Sequence, residues 1–489
     1  MARSRPLGEV LPSFPHGTVV SLPTMADVVG YERRDPAVTG RIRAGYPRFV
    51  LNELVARARD EAAARHGMDP SRTLPLRSLC AADRAVGLAR PRASRVADAG
   101  GWALLEVDAA SHEAVAQLVR HAGLRLASRD AETWLARGSV PPPPAAVPPD
   151  ILAWLLPLLA PCSAGDLRLA GSGMGAVAAA VDAIRSVQAP RHRGAWLQLG
   201  WLYVDTAQYL AKTLAPGETL EVVADVADTG ALRRFFAANR GRIAGVVAEL
   251  PNNPLLASPD LDLLRELARA EGALTVLDPS SSGLVNVDLL PWADLLVTSL
   301  TKYSGHRGDL MAGLLAVHPA SADAAALRAA AFGRLEPLGH GDLAALAAQL
   351  PDMKPVAHAQ NAGARRLADF LGGHPAVRRV LAADRGPTAA AYARAARGPA
   401  RPGSLITFEL KGDLTRFYDR VDLPKGPSFG LGFTLLAPFL WLSHFDQVTS
   451  EQGRAGLRAA GLDPDLVRLS VGTEEPSLIE ARLDAALGG

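Results

Sequence analysis

The sequence predicts an α/β protein: a mostly parallel sheet covered by helices, followed by a smaller α+β unit. Between Asp150 and about His318, short apolar runs alternate with helical patterns, as expected of strands buried on both faces and joined by crossover helices. The chain has 489 residues, of which 48% are hydrophobic and 21% charged. That is too long for one compact core, so two or three domains are expected.

Taken in order, the first fifty residues carry Pro, Gly and scattered aromatics without helical periodicity, which reads as an extended arm. Residues 51–67 (LNELVARARDEAAARHG) form an amphipathic helical pattern stopped by glycine. Next, the strand-like WALLEVD (102–108) precedes the helical HEAVAQLVRHAG, and SVPPPPAAVPPD then interrupts both patterns, because proline continues neither element. That proline stretch sets the first boundary. Beyond it come LRLA, a helix from Met174, AWLQL, TLEVVAD, a helix from Thr229, IAGVVAEL, a helix from Pro259, LTVLD, ADLLVTSL and LMAGLLAV. From about Gly333, Ala-rich helices mix with strands SLITFEL and LVRLSVG. The expected units are 1–149, 150–335 and 336–489.

Lys and Arg total 52 against 50 Asp and Glu, a net charge of +2. No broad basic surface exists for a phosphate backbone, which argues against nucleic acid as a partner. Only Cys80 and Cys162 are present, without the spacing of a metal site or disulfide framework; no metal is expected, and a reducing, cytoplasmic setting is. The most apolar runs, 151–160 and 433–442, are about half the ~20 residues that a membrane-spanning helix needs. The opening residues lack the apolar stretch of a secretory signal.

In a doubly wound sheet, ligands bind beyond the carboxyl ends of the strands. AGSGMGAV follows LRLA and opens a helix, so its backbone N–H groups suit a phosphate. It also satisfies GxGxxA through Gly171, Gly173 and Ala176, yet the next strand ends in Leu199 and Gly200 with no carboxylate before Asp205. A dinucleotide fingerprint needs an acidic residue closing that strand. Asp278 closes LTVLD and, taken alone, reads as a cap for the following segment. One strand later, VTSLTKYSGH sets Lys302 beyond a strand with Ser299 and Thr301 just before it. An amine able to form an imine, a carboxylate able to protonate a pyridine nitrogen, and hydroxyls at a helix N-terminus make up the inventory of a pyridoxal phosphate (PLP) site.

These motifs resemble the Cys/Met-metabolism PLP enzymes, a family that includes cystathionine γ-synthase and methionine γ-lyase. The resemblance covers most of the chain and implies a fold-type I PLP-dependent architecture, like that of aspartate aminotransferase. By SLTKY with its following GH, Lys302 is the cofactor-bearing lysine and Ser299 and Thr301 are phosphate ligands. SGM adds Ser172, Gly173 and Met174, ELPNNP gives Asn253 a cofactor contact, and Asp278 faces the ring nitrogen. GYPR implies that Tyr46 and Arg48 reach the phosphate of a neighbouring subunit, hence a homodimer or homotetramer with shared sites. Tyr203 in LYVDT resembles the catalytic tyrosine, and RLSVGTEE makes Arg468 the substrate-carboxylate clamp with Ser428 beside it.

The chain exceeds a typical member by about a hundred residues, all before Asp150, as in the longer, fungal-type branch of the cystathionine γ-synthases. DPSSSG replaces the usual Asp-Asn-Thr, and Val-Asp-Thr follows Tyr203 where Gly-Gly-Thr is common. The expected reaction is γ-replacement or γ-elimination on an L-amino acid with a leaving group on Cγ. Two versions fit: cystathionine γ-synthase-like joining of an O-acylhomoserine to cysteine, and halide loss from an unsaturated chloro-amino acid to give an alkyne. An inactive PLP-fold scaffold is the reading from another class.

Overall fold

A computed structural model describes residues 3–44 and 49–488. The N-terminal arm carries a short hairpin, β1 (Val10–Leu11) and β2 (Val19–Val20), then a helix over Met25–Glu32. This helix corrects the expectation of a wholly extended arm. Its start is fixed by a capping box in which Thr24 and Asp27 satisfy each other's backbone N–H groups. Its apolar face, Met25, Val28 and Tyr31, enters the core of the C-terminal unit beside Ile406 and Phe408. Tertiary burial therefore stabilises a segment too short to show its own period.

After the helix Glu53–His66 comes a three-stranded antiparallel sheet of β3 (Thr73–Leu76), β4 (Ser94–Asp98) and β5 (Ala103–Val107), in the order β3-β5-β4. Alternation along β5 divides its side chains. Trp102 and Leu104 pack with Val55 and Trp134, whereas Ala103, Leu105 and Val107 join a second cluster with Ala81, Ala82 and Ala85 of the helix Leu79–Ala89, which extends to the helix Gly173–Gln188. This small sheet therefore shares a core with the large one.

The large sheet contains β6 (Leu167–Ala170), β7 (Ala195–Leu199), β8 (Thr219–Val223), β9 (Ile243–Glu249), β10 (Leu274–Asp278), β11 (Leu295–Ser299) and β12 (Gly313–Val317). Its order is β6-β12-β11-β10-β9-β7-β8, and only β12 runs antiparallel to its neighbours. A four-stranded antiparallel sheet follows, ordered β13 (Val377–Leu381), β14 (Leu405–Leu410), β16 (Val467–Ser470), β15 (Leu435–Pro438). Among the described residues, no helix is long and apolar enough to cross a membrane.

Candidate active site

Because the strands of the large sheet other than β12 are parallel, their carboxyl ends share one edge. The loops after them line a cleft, and the C-terminal sheet closes its far side. Gly173, Met174, Tyr203, Asn253, Asp278, Ser299, Lys302, Ser428 and Arg468 all line it.

Lys302 is held by the turn after β11: its N–H donates to the Ser299 carbonyl at 3.1 Å, and the next side chain, Tyr303, donates to the Ser281 carbonyl at 2.7 Å. The Lys302 Nζ donates to Ser428 Oγ at 2.9 Å and lies 5.0 Å from the Phe429 ring centroid. Burial, and after it the charge of Arg468, push this amine down to about 7. A lysine so placed is largely a neutral nucleophile at physiological pH.

Arg468 on β16 donates from Nη2 to the Ser428 carbonyl at 3.1 Å. Its guanidinium carbon sits 4.7 Å from the Phe439 ring centroid and 5.2 Å from that of Phe429, geometry suited to cation–π attraction. Burial draws it down to about 10. No described carboxylate pairs with it, so a buried planar fork faces the cleft ready for a bidentate anion.

Asp278 closes β10 in register with Glu249 on β9. Ser280 donates to Asp278 Oδ1 from its N–H at 2.8 Å and its hydroxyl at 2.5 Å. The enclosing protein nevertheless pushes this carboxyl up to about 6. Glu249 accepts the Tyr203 N–H, and burial together with Asp278 holds it well above the usual carboxylate range. At neutral pH this pair carries less charge than two carboxylates in water.

Two buried polar atoms that line or border the cleft, Ser299 Oγ and Asn253 Oδ1, have no hydrogen-bond partner among the described residues. Gly173 opens the helix beside Ser299, and a Cβ there would come within 2.8 Å of the Ser299 Cβ. A polar cradle is thus left beside a helix N-terminus, the arrangement that binds phosphate elsewhere.

Ser172 and Thr301 lie in a smaller adjoining cavity. The Ser172 hydroxyl accepts from the Gly175 N–H at 3.0 Å, and the Thr301 hydroxyl accepts from the Ala312 N–H at the same distance. Tyr46 and Arg48 fall outside the described residues. Sequence reasoning gave no role to Glu249, Ser280, Phe429 or Tyr31, which also line the cleft. Glu249 opens the ELPNNP segment and Phe429 follows Ser428; Tyr31 had no local signal.

Residues 163–488 match the Cys/Met metabolism PLP-dependent enzyme family. The chain belongs to this family. Its fold is accordingly that of a fold-type I PLP enzyme, and its cofactor is pyridoxal phosphate. It is 38% identical over 483 residues to the L-2-amino-4-chloropent-4-enoate dechlorinase/desaturase of Streptantibioticus cattleyicolor, covering 96% of this chain and 95% of that protein. A cystathionine γ-synthase of Neurospora crassa is 30% identical over 63% of this chain and 49% of its own length. The solved methionine γ-lyase of Micromonospora echinospora superposes with a TM-score of 0.55 at 26% identity, over 66% of this chain and 82% of that one.

Proposed function

We propose that this enzyme eliminates chloride from the γ carbon of an unsaturated L-2-amino-4-chloro acid such as L-2-amino-4-chloropent-4-enoate. The observation that carries this reading is the make-up of the cleft. Lys302 and Arg468 are the only Lys or Arg side chains among its described lining residues, and Tyr31, Leu202, Val204, Phe439 and Leu442 give it apolar walls. One cation suffices for an α-carboxylate, and the apolar walls suit an uncharged unsaturated chain better than an acyl leaving group with a second carboxylate. The near-full-length similarity to a dechlorinase supports the same choice.

The donor set fits the cofactor. Lys302 would bind its aldehyde, Asp278 its ring nitrogen, and Ser299, with the backbone at Gly173 and Met174, its phosphate; Asn253 would contact the ring. Ser172 and Thr301 would support the phosphate from behind, and a second copy of the chain would add Tyr46 and Arg48, making the enzyme a homodimer or a larger homo-oligomer. Bound there, pyridoxal phosphate supplies an electron sink for charge developing at Cα and Cβ.

The residues do the rest. Arg468, steadied by Ser428, clamps the substrate carboxylate and so orients the Cα–H bond. Lys302, neutral once released, removes and returns protons at Cα and Cβ. Tyr203 closes one face of the cleft. In the net reaction a C–H bond at Cδ and the C–Cl bond at Cγ break, a further carbon–carbon π bond forms, and a proton and chloride leave. The apolar walls keep water from the unsaturated chain.

The test is a comparison of kcat/KM for L-2-amino-4-chloropent-4-enoate with that for O-succinylhomoserine plus cysteine. The chloro-amino acid should be preferred by at least about a hundredfold, the usual cost of a mismatched buried polar group. Efficient cystathionine formation without chloride release would replace this reading with γ-replacement.

A further inference from the structure

Asp205 stands two residues after Tyr203, where glycine is common in the family. It is buried, in the first turn of the helix Val204–Lys212, where the helix dipole favours a negative charge. Its Oδ2 accepts the Tyr203 hydroxyl at 3.2 Å. Its Oδ1 lies 3.3 Å from Arg120 Nε and 3.5 Å from His121 Nε2, both at the end of the helix His112–His121 of the N-terminal unit. The two helices are also joined by Lys212 Nζ donating to Gln117 Oε1 at 2.7 Å. Just beyond, Gly123 turns at φ +67° against the glycine loop, so closely that a Cβ would lie 2.4 Å from the Gly175 nitrogen and from Ser172 Oγ. The segment before residue 150 thus reaches the two loops that flank the cleft.

We propose that Asp205 is a positioning residue that holds the Tyr203 phenol in place, and that the N-terminal unit sets the site's geometry through it. The phenol donates to a carboxylate whose other oxygen lies beside Arg120 and His121, themselves joined by a 2.9 Å Arg120 Nη2–His121 Nε2 contact, so its hydroxyl direction is set by groups that a glycine at this position could not engage. This rests on Tyr203 facing the cofactor and substrate, as in the function proposed above.

The test uses the holoenzyme and the variants Asp205→Asn, Arg120→Gln, Tyr203→Phe and Tyr203→Phe/Asp205→Asn. Each is measured for cofactor absorbance, melting temperature, chloride release, and exchange of the α proton of L-2-aminopent-4-enoate in heavy water. That amino acid has no leaving group, so exchange reports on site geometry even if chloride release proves not to be the reaction. Asp205→Asn should lower the exchange rate at saturation about tenfold to hundredfold, the scale of a small misplacement, with KM little changed and the absorbance band kept. Arg120→Gln should lower it in the same direction by less. In the Tyr203→Phe background, Asp205→Asn should have almost no further effect, because coupled residues are non-additive. Equal effects in both backgrounds, or an unchanged rate in Asp205→Asn, would overturn the proposal. Wild-type exchange without chloride release would overturn the function and leave Asp205 standing.

Discussion

The two ends of the large sheet both gather cations, and they do so in opposite ways. At the amino end, Arg191, Arg193, Arg265 and Arg269 surround Thr275, Asp294 and His318. Arg191 is bidentate to Asp323 at 2.6 and 2.7 Å, Arg193 donates to the Gly272 carbonyl, and Asp294 accepts from Thr275 and Ser321. At the carboxyl end, Lys302 and Arg468 are the two Lys or Arg side chains among the described residues that line the cleft. Both are buried, both lean on Ser428, and no described carboxylate pairs with Arg468. Charge density does not distinguish a functional end from a solvated one. A buried cation left for a ligand to neutralise does, at a cost in stability that the fold carries elsewhere.

The largest break in this comparison should come from Lys302→Ala. The visible cofactor band should vanish and kcat should fall by about 10³-fold or more, the upper range for a lost acid–base group. By contrast, Arg265→Ala/Arg269→Ala at the other end should leave kcat within about twofold and stability within about 0.5 kcal/mol. A second contrast pairs Arg468→Met with Arg191→Met. The first should cut kcat/KM about a hundredfold, the loss of a charged hydrogen-bonded clamp. It should also raise the melting temperature of the cofactor-free protein by removing an uncompensated buried charge. Arg191→Met should do neither, since an exposed pair contributes about 0–1 kcal/mol.

Titration sharpens the same point. In the folded protein the Lys302 amine is lowered to about 7 from 10.5, so between those values the unfolded chain binds more protons and stability rises with pH. The stabilisation is complete above the unfolded value and is lost as pH falls through 7. Asp278 is raised to about 6 from 3.8, so its contribution is present at low pH and is lost as pH rises through 6. Denaturant midpoints of the cofactor-free protein should therefore climb from pH 7 toward 10, and Lys302→Met should reduce that climb, leaving the share of Lys425, which burial lowers to about 8. The smallest effect should be that of Ser299→Ala, which should weaken cofactor binding about tenfold through one lost hydrogen bond to a charged phosphate, measured by equilibrium dialysis.

How much of this was legible in sequence follows from how each part is held. β9, β10 and β11 are buried on nearly every residue, so they read as apolar runs, and their endings gave Asp278, Ser299 and Lys302. Ser428 meets Lys302 across 126 residues of chain and Arg468 comes from another sheet; family resemblance alone suggested them. β4 is mostly exposed and polar, held by its ladder to β5, so no hydrophobic pattern marks it. The contact of Arg120 and His121 with Asp205 depends on how two helices pack, which neither helix's own period encodes.

The most direct test of the central claim is chloride release by the cofactor-loaded enzyme from L-2-amino-4-chloropent-4-enoate, with cysteine in excess, followed by ion chromatography and product mass. The site described here predicts one chloride for each product molecule, a product lighter than substrate by HCl and free of sulfur, and no release by Lys302→Ala. A thioether product, or chloride release undiminished in Lys302→Ala, would contradict it.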